Sequence, residues 1–475
     1  MVSSTAAMVR SLFFEQRNSS PINRRLLPSQ KIQQVMRHLF IIACLILSGS
    51  ATAQHKLLQS GPMLGYVDMR EVLLWAQTKE AATVQFEFWP ADQPKAVRST
   101  ARVRTEATSG FTAKCIASPL EPGVNYIYRL KINGKAVSLP YPTTFTTQAL
   151  WQFRTDPPAF TVAAGSCNYV NETVYDRPGK PYGSEHEIFT SLAAKKPDLM
   201  LWLGDNTYLR EPDWSTRTGI YHRYTHSRSL PEVQPLLAST AHYATWDDHD
   251  FGPNDSDATW VHKGVSLEAF QDFWGNPTFG VEGEPGVTTA FKYNDVDFFL
   301  LDNRYHRTPN SCKTCPERTM LGKTQLKWFL EALSASTAPF KIVAIGGQVV
   351  SGNAAHETYI NLYKAERDSI LAHIERENIK NVIFMTGDRH FTELSLLTNS
   401  KGNAIYDLTT SSLTAGIYAG AAKEQNPYRV DSTLTTVHNF STLTFSGPRK
   451  ERVVEIKVWD KDGKELWSKT INSLK

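Results

Sequence analysis

From Pro157 onward, short apolar segments alternate with amphipathic segments, and this alternation restricts the fold more than any other feature. Continuous apolar runs are typical of strands buried on both faces, and apolar positions spaced three and four residues apart are typical of helices. Strands that alternate with helices predict a layered α/β domain. The predicted strands are Phe160–Ala164, Leu199–Leu203, Phe298–Leu301, Lys341–Ile345 and Val382–Met385, and the predicted helices are Glu185–Ala194, Gln325–Ala335 and Lys364–Glu377. A hairpin over Arg452–Thr470, turned at Asp460-Lys-Asp-Gly463, is predicted to end the chain.

Residues 56–148 follow a different pattern, in which short runs of alternating apolar and polar residues lie between Gly, Pro and Asn turns. The runs are Glu71–Trp75, Thr83–Phe88 and Asn125–Leu130. Several such runs in succession predict a β-sandwich. The segment Leu120-Glu-Pro-Gly-Val-Asn-Tyr126 resembles the turn and tyrosine corner of fibronectin type III-like domains. We therefore predict a small all-β domain over residues 54–150, followed by the α/β domain over residues 151–475.

Residues 1–53 are predicted to contain a signal peptide with an N-terminal extension. Arg37-His38 precede an apolar run, Leu39–Leu47, and small residues follow it as far as Ala51-Thr-Ala53. A basic flank, a short apolar core and an A-x-A cut site form the pattern of a secretory signal. The run is too short to span a bilayer, and the alternative is a buried helix. We expect export to the periplasm or the extracellular space, with a mature chain that begins near Gln54.

The charge of the remaining chain argues against a general polyanion partner. Beyond residue 53 the chain has 45 basic and 46 acidic residues, a net charge of about −1. Such a balance gives no support for nucleic-acid or membrane-surface binding, so an anionic ligand must be held by a local site. The sequence leaves the oligomeric state open.

Four cysteines remain after the predicted cleavage, in a compartment where disulfides form. Two of them, Cys115 and Cys167, are far apart in the sequence, whereas Cys312-Lys-Thr-Cys315 is a close pair in a stretch rich in Pro, Asn and Ser. The stretch has no second pair of cysteines and no neighbouring ligand His, which favours a local disulfide over a zinc site.

Potential metal ligands follow several predicted strands at their carboxyl ends. They are Cys167, then Asp205 with Tyr208, then Asp247-Asp-His-Asp250, then Asp388 with His390. Ligands of α/β folds bind at the carboxyl ends of strands. A Gly-Asp turn after one strand is usually structural, but four such pieces in one domain indicate a metal site. A carboxylate shared by two cations about 3.5–4 Å apart is typical of hydrolases that orient a phosphoryl group and activate water.

These motifs resemble those of the calcineurin-like metallophosphoesterases, and specifically of the PhoD-type alkaline phosphatases. The matching segments are Gly165-Ser-Cys167, Gly204-Asp-Asn-Thr-Tyr208, Trp246-Asp-Asp-His-Asp250 with Gly252-Pro-Asn254, and Gly387-Asp-Arg-His390. In order and spacing they cover roughly residues 158–400. The resemblance implies a metallophosphoesterase β-sandwich flanked by helices, preceded by the small fibronectin-III-like domain.

The resemblance also implies a set of ligands for two metals. Cys167, Tyr208 and His390 would bind the first metal, and Asp205 would bridge to the second. A thiolate and a phenolate favour Fe3+ at the first position. Asp248 and Asp388 occupy positions where the superfamily has Asn and His, so the second metal site has harder, carboxylate ligands. The family resemblance implies Ca2+ at this site. Asn254 is a further candidate ligand or a turn residue.

Three residues are candidates for direct action on the substrate. His249 lies at the position of the acid that steadies or protonates the leaving oxygen, and a protonated imidazole would suit that role. Arg304 and Arg389 are candidate clamps on the phosphate, because a guanidinium matches its geometry. His356 follows the loop Gly352-Asn-Ala-Ala355 and is interpreted as a surface residue.

We therefore expect an exported, metal-dependent phosphoesterase that acts on small-molecule or lipid phosphate mono- or diesters. The alternative within enzymes is a diester-specific phospholipase or nuclease. An alternative from another class is a non-catalytic surface protein that binds a carbohydrate or a partner through the β-sandwich and has a decayed metal site. The intact ligand set argues against it.

Overall fold

The computed structural model describes residues 55–474, so the predicted signal peptide lies outside the described residues. Up to residue 150, the described chain contains strands and one 3-10 turn but no α-helix. Buried side chains alternate along Thr83–Pro90 and Asn125–Ile132, as expected for strands with one face on a core. The strands of this segment are β1 (Leu58–Val67), β2 (Val72–Thr78), β3 (Thr83–Pro90), β4 (Arg98–Ser99), β5 (Val103–Arg104), β6 (Thr112–Ala117), β7 (Asn125–Ile132), β8 (Lys135–Ala136) and β9 (Thr144–Thr146), and the turn is Ala107–Ser109.

The α/β region contains every strand and helix predicted for it, with ends shifted by at most two residues. Its strands are β10 (Phe160–Gly165), β11 (Leu199–Leu203), β12 (Ala241–Thr245), β13 (Thr289–Tyr293), β14 (Val296–Leu300), β15 (Lys341–Ile345), β16 (Val382–Thr386), β17 (Glu393–Thr398), β18 (Ala404–Thr409), β19 (Asn439–Ser446), β20 (Val453–Asp460) and β21 (Glu465–Asn472). Its helices are α1 (Glu187–Ala194), α2 (Arg217–Arg228), α3 (Gln234–Ser239), α4 (Asp248–Phe251), α5 (Lys263–Phe273), α6 (Lys323–Ala335), α7 (Tyr359–Leu362) and α8 (Lys364–Arg376), with a 3-10 turn at Ala421–Lys423.

Two large sheets pack face to face. The first has the strand order β21-β20-β19-β10-β11-β12-β1-β2-β6, and the second has the order β13-β14-β15-β16-β18-β17. Leu201 of the first sheet and Ile342 of the second belong to one buried cluster between them. Trp202, the neighbour of Leu201, points to the other face and packs with residues of α1, α3 and α5. Phe384 likewise packs with α6 and α8 outside the second sheet. The predicted β-sandwich flanked by helices is confirmed.

The N-terminal segment contributes to two sheets. Strands β1, β2 and β6 extend the first large sheet, where Leu64 of β1 lies parallel beside Ala241 of β12. Strands β3, β4, β7 and β8 form a third sheet, joined by β5 and β9. The backbone N–H of Glu121 donates to the buried hydroxyl of Tyr126 at 2.9 Å, which is the contact of a tyrosine corner. The boundary near residue 150 and the likeness to fibronectin type III domains stay predictions.

Cys312 and Cys315 are joined in a disulfide with a Cα–Cα distance of 5.6 Å, as predicted. Cys115 and Cys167 are buried free thiols. Among the described helices, none has the length and apolar character needed to cross a bilayer.

Candidate metal centre

The predicted ligands lie where parallel strands of the two large sheets end. Strands β10, β11 and β12 are parallel neighbours in the first sheet, and β16 is a central parallel strand of the second. Cys167 follows β10, Asp205 follows β11, Asp248 follows β12, and Asp388 and His390 follow β16. Because both sheets present carboxyl ends to the same side, side chains from four separate parts of the sequence meet there.

The backbone at this edge is strained. Cys167, Asp205, Asp388 and His390 have φ values of 59°, 52°, 67° and 55°, in the left-handed region that residues other than glycine rarely adopt. Each such residue costs of the order of 1 kcal/mol, and strain of this kind clusters at functional sites. Gly204 has φ +93°, and a Cβ on it would lie 2.7 Å from Cβ of Asp247. The turn after β11 therefore requires glycine.

The first ligand group consists of Cys167, Asp205, Tyr208 and His390. The Tyr208 hydroxyl donates to Oδ2 of Asp205 at 3.1 Å and lies 3.2 Å from Nε2 of His390. Sγ of Cys167 lies 3.6 Å from the same Asp205 oxygen. Ligand atoms of Cys167, Asp205 and His390 are all within 4.8 Å of one another, so one cation fits between them.

Two neighbouring residues orient this first group. Nδ1 of His390 donates to the carbonyl of Gly416, which leaves the lone pair of Nε2 directed at Tyr208 and Asp205. Metal-bound histidines usually have such a partner on the other ring nitrogen. The Ser411 hydroxyl donates to Sγ of Cys167 at 3.0 Å. Burial raises the pKa of the Cys167 thiol to about 11, although Ser411 lowers it, so a cation is required to hold the thiolate at neutral pH.

The second ligand group is rich in carboxylates. Ligand atoms of Asp205, Asp248 and His249 lie within 4.8 Å of one another, so Asp205 belongs to both groups. Oδ2 of Asp248 accepts from the backbone N–H of Asp255 at 2.7 Å. The carboxylate of Asp388 lines the same cavity as Asp248 and has no hydrogen-bond partner within residues 55–474. A carboxylate in a cavity wall without a hydrogen-bond partner is a suitable ligand for a cation.

Several acidic side chains lie close together at this centre and shift one another's pKa values. Burial raises the pKa of Asp205 well above its ordinary value, and Asp248 and Cys167 raise it further. Burial and the nearby Asp247 raise the pKa of Asp388 to about 7. Burial would also raise the pKa of Asp248, but His249 and Arg304 bring it below the ordinary value. The excess of negative charge and the donor types fit two cations, a softer one beside Cys167 and a harder one beside Asp248 and Asp388.

His249 lies beside the first group without belonging to its hydrogen bonds. Its ring stacks on that of Tyr208 with centroids 4.2 Å apart, and its ring nitrogens have no hydrogen-bond partner in the described chain. Its backbone N–H donates to Oδ1 of Asp205 at 3.3 Å. Burial lowers the pKa of His249, which favours the neutral imidazole over the protonated form expected from the sequence.

The two candidate arginines have different surroundings. Arg389 lines the cavity, and its guanidinium donates to Glu424 at 2.5 Å and to the carbonyl of Ala355 at 3.4 Å. Arg304 is 1% exposed and is not part of the cavity wall. Its guanidinium is paired with Asp247 and with Glu357. Those carboxylates occupy the N–H donors that a phosphate clamp would need. Arg304 therefore lies on the side of Asp247 and Asp248 that faces away from the cavity.

A cavity of about 1200 Å3 opens above the centre. The predicted site residues in its wall are Asp205, Asp248, His249, Asn254, Asp388, Arg389 and His390. Asn254 is exposed at the rim, next to Asp255, whose backbone N–H donates to Asp248. Cys167 is fully buried beneath the cavity, and Tyr208 faces a neighbouring one. His356 is mostly exposed, as predicted, but it also lines the rim.

Sequence reasoning missed several residues that touch the centre. Ser411, Gly416, Tyr182, Asp255 and Glu357 all come from loops. Asp255 and Glu357 form a further close group with Asp248, and Glu357 is paired with Arg304 and Arg307. The only local signal was the position of Asp255 next to Asn254 in the motif Gly252-Pro-Asn254.

The layered fold and the donor set together define a protein of the metallophosphoesterase-like α/β class. Solved structures that share this fold include those of PhoD and of a purple acid phosphatase. The structure of PhoD aligns with a TM-score of 0.70 at 18% identity, covering 88% of this chain and 93% of that chain. A purple acid phosphatase from yellow lupin (Lupinus luteus) seeds aligns with a TM-score of 0.61 at 12% identity, covering 87% and 74%.

A family model described as PhoD-like phosphatase matches residues 163–457, and this chain therefore belongs to the PhoD-like phosphatase family. A second model, described as Domain of unknown function (DUF7800), matches residues 55–150. Alkaline phosphatase D of Bacillus subtilis (strain 168) is 25% identical over 368 residues, which cover 66% of this chain. The match spans 59% of the length of that relative.

Proposed function

We propose that this chain is an exported, metal-dependent phosphoester hydrolase that cleaves phosphate mono- and/or diesters. The observation that carries the proposal is the meeting of Cys167, Tyr208, His390 and the shared Asp205 beside a carboxylate-rich second group under an open cavity. Membership of the PhoD-like phosphatase family and the name of the Bacillus subtilis relative support it.

In this proposal, Cys167, Tyr208 and His390 would hold Fe3+, and Asp205 would serve both Fe3+ and Ca2+. Asp248 and Asp388 complete the calcium side, with Asn254 as a further oxygen donor from the rim. Thiolate and phenolate donors suit a transition metal, whereas carboxylates and amide oxygens suit a hard cation. When bound, such a cation pair supplies Lewis acidity toward the phosphate and acidifies water near neutral pH.

The protein groups then bind and orient the ester. Arg389, held in place by Glu424, donates to non-bridging phosphate oxygens. The free ring nitrogens of His249 face the cavity, and a neutral imidazole N–H donates to the leaving oxygen as negative charge develops there. Arg304, in place of the clamp role expected from the sequence, fixes Asp247 and lies 3.7 Å from Oδ1 of Asp248. It is a positioning residue in this scheme.

Diesters are a second candidate class because the cavity is wide. A volume of about 1200 Å3 exceeds what a phosphate group with one small substituent fills, so a second ester arm has room. A diester-specific phospholipase or nuclease activity would use the same ligands.

Reconstitution tests the proposal. We expect the metal-depleted chain to lose hydrolysis of an aryl phosphomonoester and a bis-aryl phosphodiester, and Fe3+ with Ca2+ together to restore it. Adding Mg2+ or Zn2+ alone is the control. Lack of hydrolysis of both esters with every metal combination would overturn the proposal. The ratio of the two rates assigns the ester class, and N-terminal sequencing of the exported chain, expected to begin near Gln54, tests export.

A further inference from the structure

A second cavity, which we call the side cavity, adjoins the main one on the His249 side. Its volume is about 490 Å3, within the range of about 300–1,000 Å3 typical of small-molecule sites. Four residues, Lys180, Tyr182, His249 and Asn254, line both cavities. Tyr208, of the first ligand group, faces the side cavity. The two spaces therefore meet at the metal centre.

Aromatic rings dominate the wall of the side cavity. Its aromatic and apolar residues are Tyr169, Tyr175, Pro178, Tyr182, Tyr208, Leu209 and Trp214. Tyr175 is 40% exposed and Tyr182 is 48% exposed, so part of each ring is accessible to a ligand. Tyr169 and Tyr182 pack edge to face with centroids 4.9 Å apart, which fixes both rings. The wall thus offers rigid ring faces to a ligand.

Four of the charged groups in the side cavity are paired with one another, whereas Lys180, in the wall that both cavities share, has no ion pair in the described chain. Arg210 pairs with Asp176 at 3.1 Å, and its guanidinium lies 4.1 Å from the centroid of the Tyr169 ring. Arg177 and Glu211 form an exposed pair at 3.9 Å. This balance contrasts with the main cavity, where unpaired carboxylates call for cations. Away from Lys180, which lies in the wall shared with the main cavity, the paired charges and the ring faces of the side cavity suit a neutral, flat group rather than a second phosphate.

We propose that the side cavity binds the planar aromatic part of the alcohol that leaves phosphorus. This inference rests on the proposed phosphoester hydrolysis. His249 lies at the junction and donates to the leaving oxygen in that scheme, so the substituent on this oxygen extends past the imidazole ring into the side cavity. The ester class is then a phosphate ester of a benzylic or nucleoside alcohol, whose π face stacks on Trp214 and Tyr175.

Matched substrates test this proposal without changing the leaving-group chemistry. Benzyl phosphate and cyclohexylmethyl phosphate have similar size but differ in planarity, and ribose 5-phosphate has a hydroxyl where adenosine 5′-monophosphate has the base. With the chain loaded with Fe3+ and Ca2+, we expect kcat/KM about tenfold higher for the aromatic member of at least one pair, because ring stacking stabilises it. The first pair reports on benzylic rings and the second on nucleobases.

Variants locate the effect in the side cavity. Trp214→Ala and, independently, the partly exposed Tyr175→Ala are expected to reduce that ratio to about two or below, and Trp214→Phe is expected to retain most of it. The control is Trp467→Ala on β21, which removes an indole that lines neither cavity and is expected to leave the ratio unchanged.

The outcomes separate the two claims. Hydrolysis of all four esters with equal kcat/KM within each pair overturns the aromatic site and leaves the phosphoesterase intact. A preference that survives both Trp214→Ala and Tyr175→Ala also overturns it, because the ring would then bind elsewhere. Absence of hydrolysis with these esters and with aryl phosphates overturns the proposed function and this inference together.

Discussion

The two ligand groups share Asp205, yet their other members are held in different ways. Around Cys167, the ligand atoms contact one another, and Ser411 and Gly416 fix the thiol and the imidazole from behind. Around Asp388, the carboxylate has no hydrogen-bond partner in the described chain and lines an open cavity. A preformed, buried group retains its cation, whereas an open carboxylate group exchanges it. We therefore expect a tightly bound metal beside a readily exchangeable one.

The largest expected effect comes from the residue that both groups use. Asp205→Ala should lower kcat/KM by more than about 10^3-fold, because neither cation keeps its full ligand set. Metal analysis should find both metals depleted. Asp198→Asn is the matched control, since Asp198 precedes the same strand and its carboxylate accepts from the backbone of Thr161 at 2.7 Å, a contact that asparagine retains. If Asp205→Ala keeps near-normal activity, Asp205 does not bridge.

Cys167→Ser tests the buried ligand group. Replacing the thiolate should reduce iron content and lower kcat by about 100-fold, while calcium affinity stays within about twofold. The visible charge-transfer band of thiolate and phenolate bound to Fe3+ should weaken and shift. Cys115→Ser, which alters the other buried free thiol, should leave the spectrum unchanged. A fully metallated wild-type protein without iron or colour would remove the iron assignment.

Asp388→Asn tests the carboxylate group that lines the open cavity. The amide keeps the shape but loses the charge, so calcium affinity should fall by about tenfold or more while iron stays bound. Excess calcium should restore much of the activity, which it cannot do for Cys167→Ser. The measurement is activity as a function of free calcium set with a chelator. A variant with wild-type calcium dependence would place the second cation away from Asp388.

The local sequence pattern was sufficient to predict those site residues that directly follow a strand. Apolar runs located the ends of β11 and β16, and hence Asp205 and Asp388, because strand ends are encoded by neighbouring residues. The supporting contacts were not accessible in this way. Ser411 reaches Cys167 from 244 positions away, and Glu357 reaches Arg304 from a loop. Such contacts depend on loop conformation, for which side-chain periodicity carries no information.

The limits of local sequence patterns also explain why some strand pairings and one helix were not predicted. The pairing of β1 with β12 joins residues far apart in sequence, and alternation in each strand does not specify its neighbour. Helix α2 was not predicted because its twelve residues include few aliphatic side chains and bury Tyr224, Arg223 and Arg228 instead. Polar residues that pair inside the protein do not produce an apolar stripe. The sequence also predicts a phosphate clamp at Arg304, because it does not distinguish a buried arginine from an exposed one.

Arg304→Lys gives the smallest expected effect and tests how the open group is positioned. Lysine keeps the positive charge near Asp247 and Glu357, so the buried carboxylates stay partly compensated, but it lacks the planar fork that holds them at fixed positions. Calcium affinity should fall by about threefold to tenfold with little change in KM for the ester, because Arg304 does not line the cavity.

Arg307→Lys is the control for this substitution. Arg307 pairs with the same Glu357 at 2.5 Å but has no ion pair with Asp247 or Asp248 in the described chain. If both substitutions lower calcium affinity equally, the arginines act only through the total charge around Glu357. If Arg304→Lys raises KM while calcium affinity is unchanged, the guanidinium contacts the phosphate after all. If Arg304 holds Asp247 and Asp248 in position, Arg304→Lys should lower calcium affinity and Arg307→Lys should not.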